Sequence, residues 1–299
     1  MNTHTIIFVE VFMRLIATDL DGTLLNSNHK ISKENVLAIL NAQKKGVDVI
    51  ISTGRTYKNV LNILKDTGIK APYIISNNGS QIHNCMGNTL KTFTLSKECL
   101  KKILPYLHYS NYYYSISTSN CMLEAGHDKL IYDFYRSKEK NPNLKEADLD
   151  NLLNIFYGSQ NGLNVKEVTS LEDIYSKDCY NVSVISFDND ILLSGRAALK
   201  DLAGITIVSS AKNNFEILNS ESSKGNAVEF IANSLNISLD DVMAIGDNFN
   251  DISMFEKVKY SVAMGNAEED VKKVCKFITL ENDDNGVAYA INEHLKNLA

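Results

Sequence analysis

The 299-residue chain has no C-x-x-C pair, no surplus of basic residues and no long apolar run. Each absence removes a class of function. Its five cysteines, Cys85, Cys99, Cys121, Cys179 and Cys275, are odd in number and widely spaced. That pattern excludes a disulfide frame and a zinc site, and reads as reduced, buried thiols of a cytoplasmic protein. The formal net charge of -6 leaves no basic footprint for a nucleic acid. A small anionic substrate stays open, because it needs only local positive charge. No apolar run approaches the roughly 18 residues of a spanning helix, so no membrane partner is expected. Residues 1–12 hold one short run, Ile6-Ile7-Phe8-Val9, with no basic leader and no small-residue cleavage pattern. They read as an N-terminal extension and not as a secretory leader. Start-codon choice and an added edge strand stay open for them. No internal repeat and no low-complexity linker is present.

What is present is enough apolar residue, 44%, for a sizeable core. The length suits one large domain or two ordinary ones. Residues 14–19 are an apolar strand ending in an acid. Ser32 reads as the N-cap of a helix whose apolar positions are Val36, Leu37, Ile39 and Leu40, stopped at Gly46. Residues 47–51 form a second strand, followed by a helix with Val60, Leu61 and Leu64. A third strand at 73–75 ends on Asn77-Asn78-Gly79. Strands this uniformly apolar are buried on both faces, as in a parallel sheet. The same style returns in the C-terminal part. A helix over 223–235 carries Ala227, Phe230, Ile231 and Leu235 on one side. Strands at 242–245, 260–263 and 277–278 alternate with helices near 250–257, near 267–275 and at the end. Between about 92 and 218 the alternation is lost. That stretch holds Tyr112-Tyr113-Tyr114, a polar region at 141–150 and strands at 182–187 and 215–218. It reads as an α+β domain inserted into the α/β domain, with the three tyrosines packed in a strand.

Four short clusters carry the chemistry, and each falls at a strand end or helix start, where an open α/β sheet places its ligand. Asp19-Leu20-Asp21-Gly22-Thr23 puts two carboxylates in one turn, and Gly22 permits the tight reversal. A bare D-x-D-G is equally an ordinary turn; the preceding apolar strand and Thr23 make it more. Thr53-Gly54-Arg55 offers a hydroxyl and free N–H groups suited to a phosphoryl oxygen. Lys224-Gly225 opens a helix, a poor place for a cation unless an anion lies nearby. Gly246-Asp247-Asn248-Phe249-Asn250-Asp251 is oxygen-rich, as a hard cation requires, and its spacing is not that of an EF-hand.

The order D-x-D-G-T, T-G-R, K-G, G-D-x-x-N-D resembles the haloacid dehalogenase superfamily, and more closely its Cof-type phosphatases, which carry a large cap between the second and third motifs. The resemblance runs from Met13 nearly to the end. It implies an α/β fold: a Rossmann-like parallel core over 13–91 and 219–299, with an α+β cap over 92–218. It implies an Mg²⁺-dependent phosphatase acting on a small phosphorylated substrate such as a sugar, nucleotide or cofactor phosphate. Asp19 would be the nucleophile and form a phosphoaspartate. Asp21 would be the general acid and base, its proton retained in a crowded carboxylate site, and Lys224 the partner of Asp19 and of the transferring group. Mg²⁺ would be held by Asp19, the Asp21 carbonyl and Asp247. Leu20, Thr53, Gly54, Lys224 and Asn250 would contact phosphate. Asp251 would orient Lys224 or a metal-bound water. Cap closure would add specificity contacts, with Asn78 and Ser80 as candidates on the core side and Asp128, Tyr132, Arg136 and Lys138 on the cap side. A monomer or weak oligomer is expected. A phosphomutase, or a non-catalytic regulatory protein on this scaffold, are the alternatives. A dehalogenase has no use for Asp21, and an ion-pumping ATPase requires membrane spans.

Overall fold

The computed structural model describes residues 13–150 and 165–296. The extension expected over 1–12 lies outside the described residues. Strands β1 (Leu15–Thr18), β2 (Asp48–Ser52) and β3 (Tyr73–Ser76) form where the apolar runs predict them. Helix α1 (Lys33–Lys44) starts on Ser32, whose hydroxyl accepts from the Asn35 N–H at 3.1 Å. It ends before Gly46, at φ 82°. Its buried stripe is Asn35, Ala38, Ile39 and Ala42. Leu37, expected on that stripe, is 56% exposed, because two helical steps of about 100° carry it to the opposite side from Ile39. Leu61 of α2 (Tyr57–Leu64) is likewise exposed beside the buried Val60 and Leu64.

After β3 the chain adds two antiparallel strands, β4 (Gln81–Asn84) and β5 (Thr89–Thr92). It then enters a second sheet. Its elements are α3 (Lys97–Tyr109), β6 (Tyr113–Thr118), β7 (Met122–Ala125), α4 (His127–Lys140), β8 (Val165–Glu167), β9 (Cys179–Ile185), α5 (Asn189–Leu199), β10 (Ile205–Val208) and β11 (Asn214–Asn219). The first sheet is completed by α6 (Lys224–Ser234), β12 (Val242–Gly246), α7 (Ile252–Phe255), β13 (Tyr260–Ala263), α8 (Glu269–Val274), β14 (Phe277–Ile278) and α9 (Gly286–Leu295).

The first sheet has the order β14-β13-β12-β1-β2-β3-β4-β5. Six strands are parallel, as expected, and β4 and β5 make an antiparallel edge that leads to the second sheet. Both faces are covered. Ile16, Val49 and Ile51 pack with Ile39 and Ile291 on one side, and Leu15, Ile50 and Ala244 with Val228 and Ile231 on the other. β1 lies between β12 and β2, so Asp19, Thr53 and Asp247 emerge side by side at three adjacent strand ends.

The second sheet has the order β10-β11-β9-β6-β7-β8. Tyr114, Ile116, Val182, Val184, Phe215 and Ile217 point to one face, where Leu100, Ile103 and Leu192 of α3 and α5 cover them. Tyr112, Tyr113 and Tyr114 are all buried; Tyr113 and Tyr114 open β6, while Tyr112 packs just before it. The strand expected over 182–187 starts three residues earlier and stops at Ile185. Ser186 to Asp188 instead turn to cap α5, and the Asp188 carboxylate accepts from the Asp190 N–H at 3.0 Å.

Candidate active site

The loop after β1 turns as its glycine predicts. Gly22 sits at φ 74°, and the Leu25 N–H closes the turn on the Leu20 carbonyl at 2.8 Å. A β-carbon on Gly22 would lie 2.4 Å from Asp247 Oδ2. Glycine is what lets the two motifs meet. The Thr23 hydroxyl donates to Asp247 Oδ1 at 2.7 Å.

Lys224 is the centre of the charge arrangement. Its side chain is 1% exposed, and its ammonium donates to Asp19 Oδ1 at 2.7 Å and to Asp251 Oδ1 at 2.6 Å. Burial alone would lower its pKa, but the two carboxylates more than offset this and hold the ammonium charged. The unfavourable helix-start position is thereby explained: two anions sit against it. Gly225 follows because α6 crosses the chain at Ser253 there; a β-carbon would stand 1.8 Å from the Ser253 carbonyl oxygen.

Asp19, Asp247 and Asp251 bring carboxylate oxygens within 4.8 Å of one another. One lysine does not balance three acids in a buried space. Burial raises the Asp19 pKa well above the carboxylate range; Lys224 opposes this, and Asp251 and Asp247 add to it. Asp247 is pushed up from 3.8 to about 7, first by burial and then by Asp251, against the Thr23 hydrogen bond and Lys224. Such a cluster of hard oxygens with excess negative charge fits Mg²⁺. The donors divide by what they already hold. Asp251 gives Oδ1 to Lys224, and Oδ2 accepts from the Asp247 and Asn248 N–H groups at 3.0 and 3.1 Å. Its two oxygens are thereby bonded to Lys224 and to the loop. Asp19 and Asp247 each make one side-chain hydrogen bond among the described residues, and both line the cavity.

Other expected contacts fall into place or do not. Thr53 is buried at the end of β2, and its oxygen accepts from the Arg55 N–H at 3.2 Å, which leaves the hydroxyl proton to donate. Gly54 lines the cavity, with the Asn78 amide 3.1 Å from where a β-carbon would be. Asn250 Nδ2 donates to Asn78 Oδ1 at 3.0 Å. Asn250 Oδ1 is buried without a hydrogen-bond partner. Leu20 has a fully buried side chain in the core, so only its backbone can meet a phosphate. Asp21 stands apart from the carboxylate cluster. Its side chain is 47% exposed, and both its oxygens accept from Arg55, at 2.7 Å from Nε and 2.6 Å from Nη2. The crowding expected to keep its proton is replaced by a bidentate guanidinium clamp.

The outlying candidates change role. Asn78 is 1% exposed and acts as a strut: its Nδ2 donates to Glu216 at 2.9 Å while its Oδ1 accepts from Asn250. Ser80 is buried and joins the Tyr180 carbonyl at 3.0 Å and Ser222 at 2.9 Å. Asp128, Tyr132, Arg136 and Lys138 do not line the cavity beside Asp19. They stand on α4, where Arg136 pairs with Asp188 and Lys138 with Glu146. All five cysteines are free as expected, although Cys85 is exposed and Cys275 half-buried.

Two residues carry no role in the sequence motifs and gain one in the structure. Arg55 closes the Thr53-Gly54-Arg55 cluster and clamps Asp21. Glu216 is an acid inside the apolar run Phe215-Glu216-Ile217-Leu218, the one signal that its face looks toward a polar space. It is 6% exposed, and burial raises its pKa against hydrogen bonds from Ser210, Asn78 and Asn181.

A family model for haloacid dehalogenase-like hydrolases matches residues 16–291. Phosphatase YwpJ of Bacillus subtilis (strain 168) is 38% identical over 289 residues, which covers 95% of this chain and 100% of that protein. The 5-amino-6-(5-phospho-D-ribitylamino)uracil phosphatase YwtE of the same organism is 35% identical over 290 residues, 95% of this chain and 98% of its own. A solved haloacid dehalogenase-like hydrolase from B. subtilis superposes with a TM-score of 0.81 at 36% identity, covering 94% of this chain and 99% of that one. With its four motifs gathered at the strand ends of one sheet and relatives named as phosphatases along nearly its whole length, the chain belongs to the haloacid dehalogenase-like hydrolases, as an enzyme of their Cof-type phosphatase branch.

Proposed function

We propose that the chain is an Mg²⁺-dependent phosphatase of small phosphorylated metabolites, working in the cytoplasm through a phosphoaspartate on Asp19. The observation that carries this is Asp19 itself. It is a buried carboxylate gripped through one oxygen by Lys224, in a cavity it shares with Asp247 and Asp21. Asp19 attacks phosphorus, and the bond to the leaving oxygen breaks. Asp21 gives that oxygen a proton, then takes one from the water that cleaves the phosphoaspartate and releases phosphate. Arg55 positions Asp21 for both steps, and Asp21 must turn one oxygen away from it to hold the proton. Lys224 offsets charge on the phosphoryl oxygens, with Thr53, the Gly54 N–H and Asn250 as further donors. Mg²⁺ would be held by Asp19, Asp247 and the Asp21 carbonyl, and supplies charge neutralisation between two anions.

Phosphate release from p-nitrophenyl phosphate with and without Mg²⁺ tests the proposal. Asp247→Ala should raise the Mg²⁺ needed for half-maximal release by more than about tenfold. An unchanged titration removes Asp247 from the ligand set.

The acids also predict a pH dependence in the metal-free protein. Asp247 is held near 7 in the folded state against an ordinary 3.8, so folding favours its protonated form. That contribution is complete below 3.8 and is lost as pH rises through 7. A divalent cation takes the place of the missing proton. Mg²⁺ should therefore raise Tm more at about pH 8 than at about pH 5. Equal shifts at both would contradict the assignment.

A further inference from the structure

Above Asp19 lies a cavity of about 500 Å³ between the two sheets. Its floor is the motif loops. Its roof is the open face of the second sheet, and the period-two alternation of the strands decides what that face offers. Val182, Val184, Phe215 and Ile217 turn into the apolar core, so their neighbours turn toward the cavity. Across the rungs these are Ser117 beside Asn181, then Ser115 beside Ser183 beside Glu216. Ser210 joins them from the loop after β10. The roof is thus mostly hydroxyls, amides and one acid, with the apolar Met122 and Ile185 among them.

The charges are as informative as the hydroxyls. Arg55 is the one lysine or arginine lining the cavity among the described residues. Its Nε and Nη2 are given to Asp21, and its Nη1 to Asn59 at 2.8 Å. Lys224 is buried beneath, between Asp19 and Asp251. Glu216 makes no salt bridge with a lysine or arginine among the described residues; neutral donors hold it, and the Lys224 ammonium acts on it only from beyond contact. Ser210 Oγ donates to Oε1 at 2.7 Å, and Asn78 and Asn181 donate to Oε2 at 2.9 and 3.0 Å. A carboxylate offers about four acceptor sites, so one remains, on Oε1.

We infer that this roof selects the leaving group by charge: it takes phosphomonoesters whose other end is neutral or cationic and hydroxyl-rich, and it rejects a second anionic group. Glu216 is the specificity-determining residue. Its remaining acceptor site receives a hydroxyl or amine of the leaving group, and its charge repels a carboxylate or second phosphate that no lysine or arginine lining the cavity is free to offset. This rests on the phosphatase reading above.

The test is phosphate release with Mg²⁺ by the full chain from three probes. Sorbitol 6-phosphate and 6-phosphogluconate differ at the far end by a hydroxymethyl against a carboxylate. Acetyl phosphate has no hydroxyl donor there and reports the core chemistry. The expected kcat/KM for sorbitol 6-phosphate exceeds that for 6-phosphogluconate by at least about 30-fold, and Glu216→Gln narrows the ratio by about tenfold. The wild-type ratio stands whether or not the variant folds. Release from acetyl phosphate with no preference for sorbitol 6-phosphate overturns the inference and leaves the phosphatase reading intact. Release from none of the three overturns the phosphatase reading and this inference with it.

Discussion

Asp19→Asn protein should fold and lose turnover by about 10,000-fold or more, because the group that bonds to phosphorus is gone. An amide oxygen is a far poorer nucleophile than a carboxylate oxygen. The fold has little reason to fail. Asn has nearly the shape of Asp, and its Oδ1 can still accept from Lys224, which keeps its second partner, Asp251. The substitution also removes one of three mutually repelling acids, so stability should hold or rise at neutral pH. Circular dichroism and thermal melting check the fold, and phosphate release checks turnover. Substantial activity from clean, folded Asp19→Asn protein would refute the nucleophile.

Lys224→Met should damage both stability and rate. It leaves Asp19 and Asp251 buried with no cation, and breaking a buried pair in this way costs about 3–5 kcal/mol. Part of that is recovered by protonation of Asp19, and this fixes the sign with pH. Asp19, whose pKa is raised in the folded state, keeps its contribution below its ordinary 3.8 and loses it as pH climbs. The deficit against the native protein should therefore be small at about pH 5 and large at about pH 8, with Mg²⁺ restoring part of it. Turnover at saturating Mg²⁺ should fall about 100- to 1,000-fold, the scale for losing one donor to developing charge. Urea melts at the two pH values separate the effects. A deficit that shrinks as pH rises would contradict the charge balance described here.

The sequence made the core of the site legible because its information is local. Asp19, Thr53 and Asp247 each end an apolar strand, and neighbouring parallel strands bring their ends together without further instruction. Gly22 announced its turn in the same way. Helix faces were less certain: the apolar count around Leu37 and Leu61 exceeded what one buried stripe can hold, and both side chains face solvent. The site's upper half was not legible. Asn78 meets Glu216 across 138 residues, and Arg55 meets Asp21 across 34. No spacing rule reaches that far. The α4 residues Arg136 and Lys138 are spent on acids away from the cavity, Asp188 and Glu146. The cavity instead recruits serines and asparagines, which in sequence resemble any polar strand face.

The central claim is a covalent bond between phosphorus and Asp19. Its most direct test is an acid quench of the enzyme during turnover of a ³²P-labelled phosphomonoester with Mg²⁺, followed by peptide mass spectrometry. The account predicts one phosphoryl group on the peptide containing Asp19, stable in acid, released by hydroxylamine and absent from Asp19→Asn. Steady release of phosphate with no label on Asp19, or with the label on another residue, would contradict it.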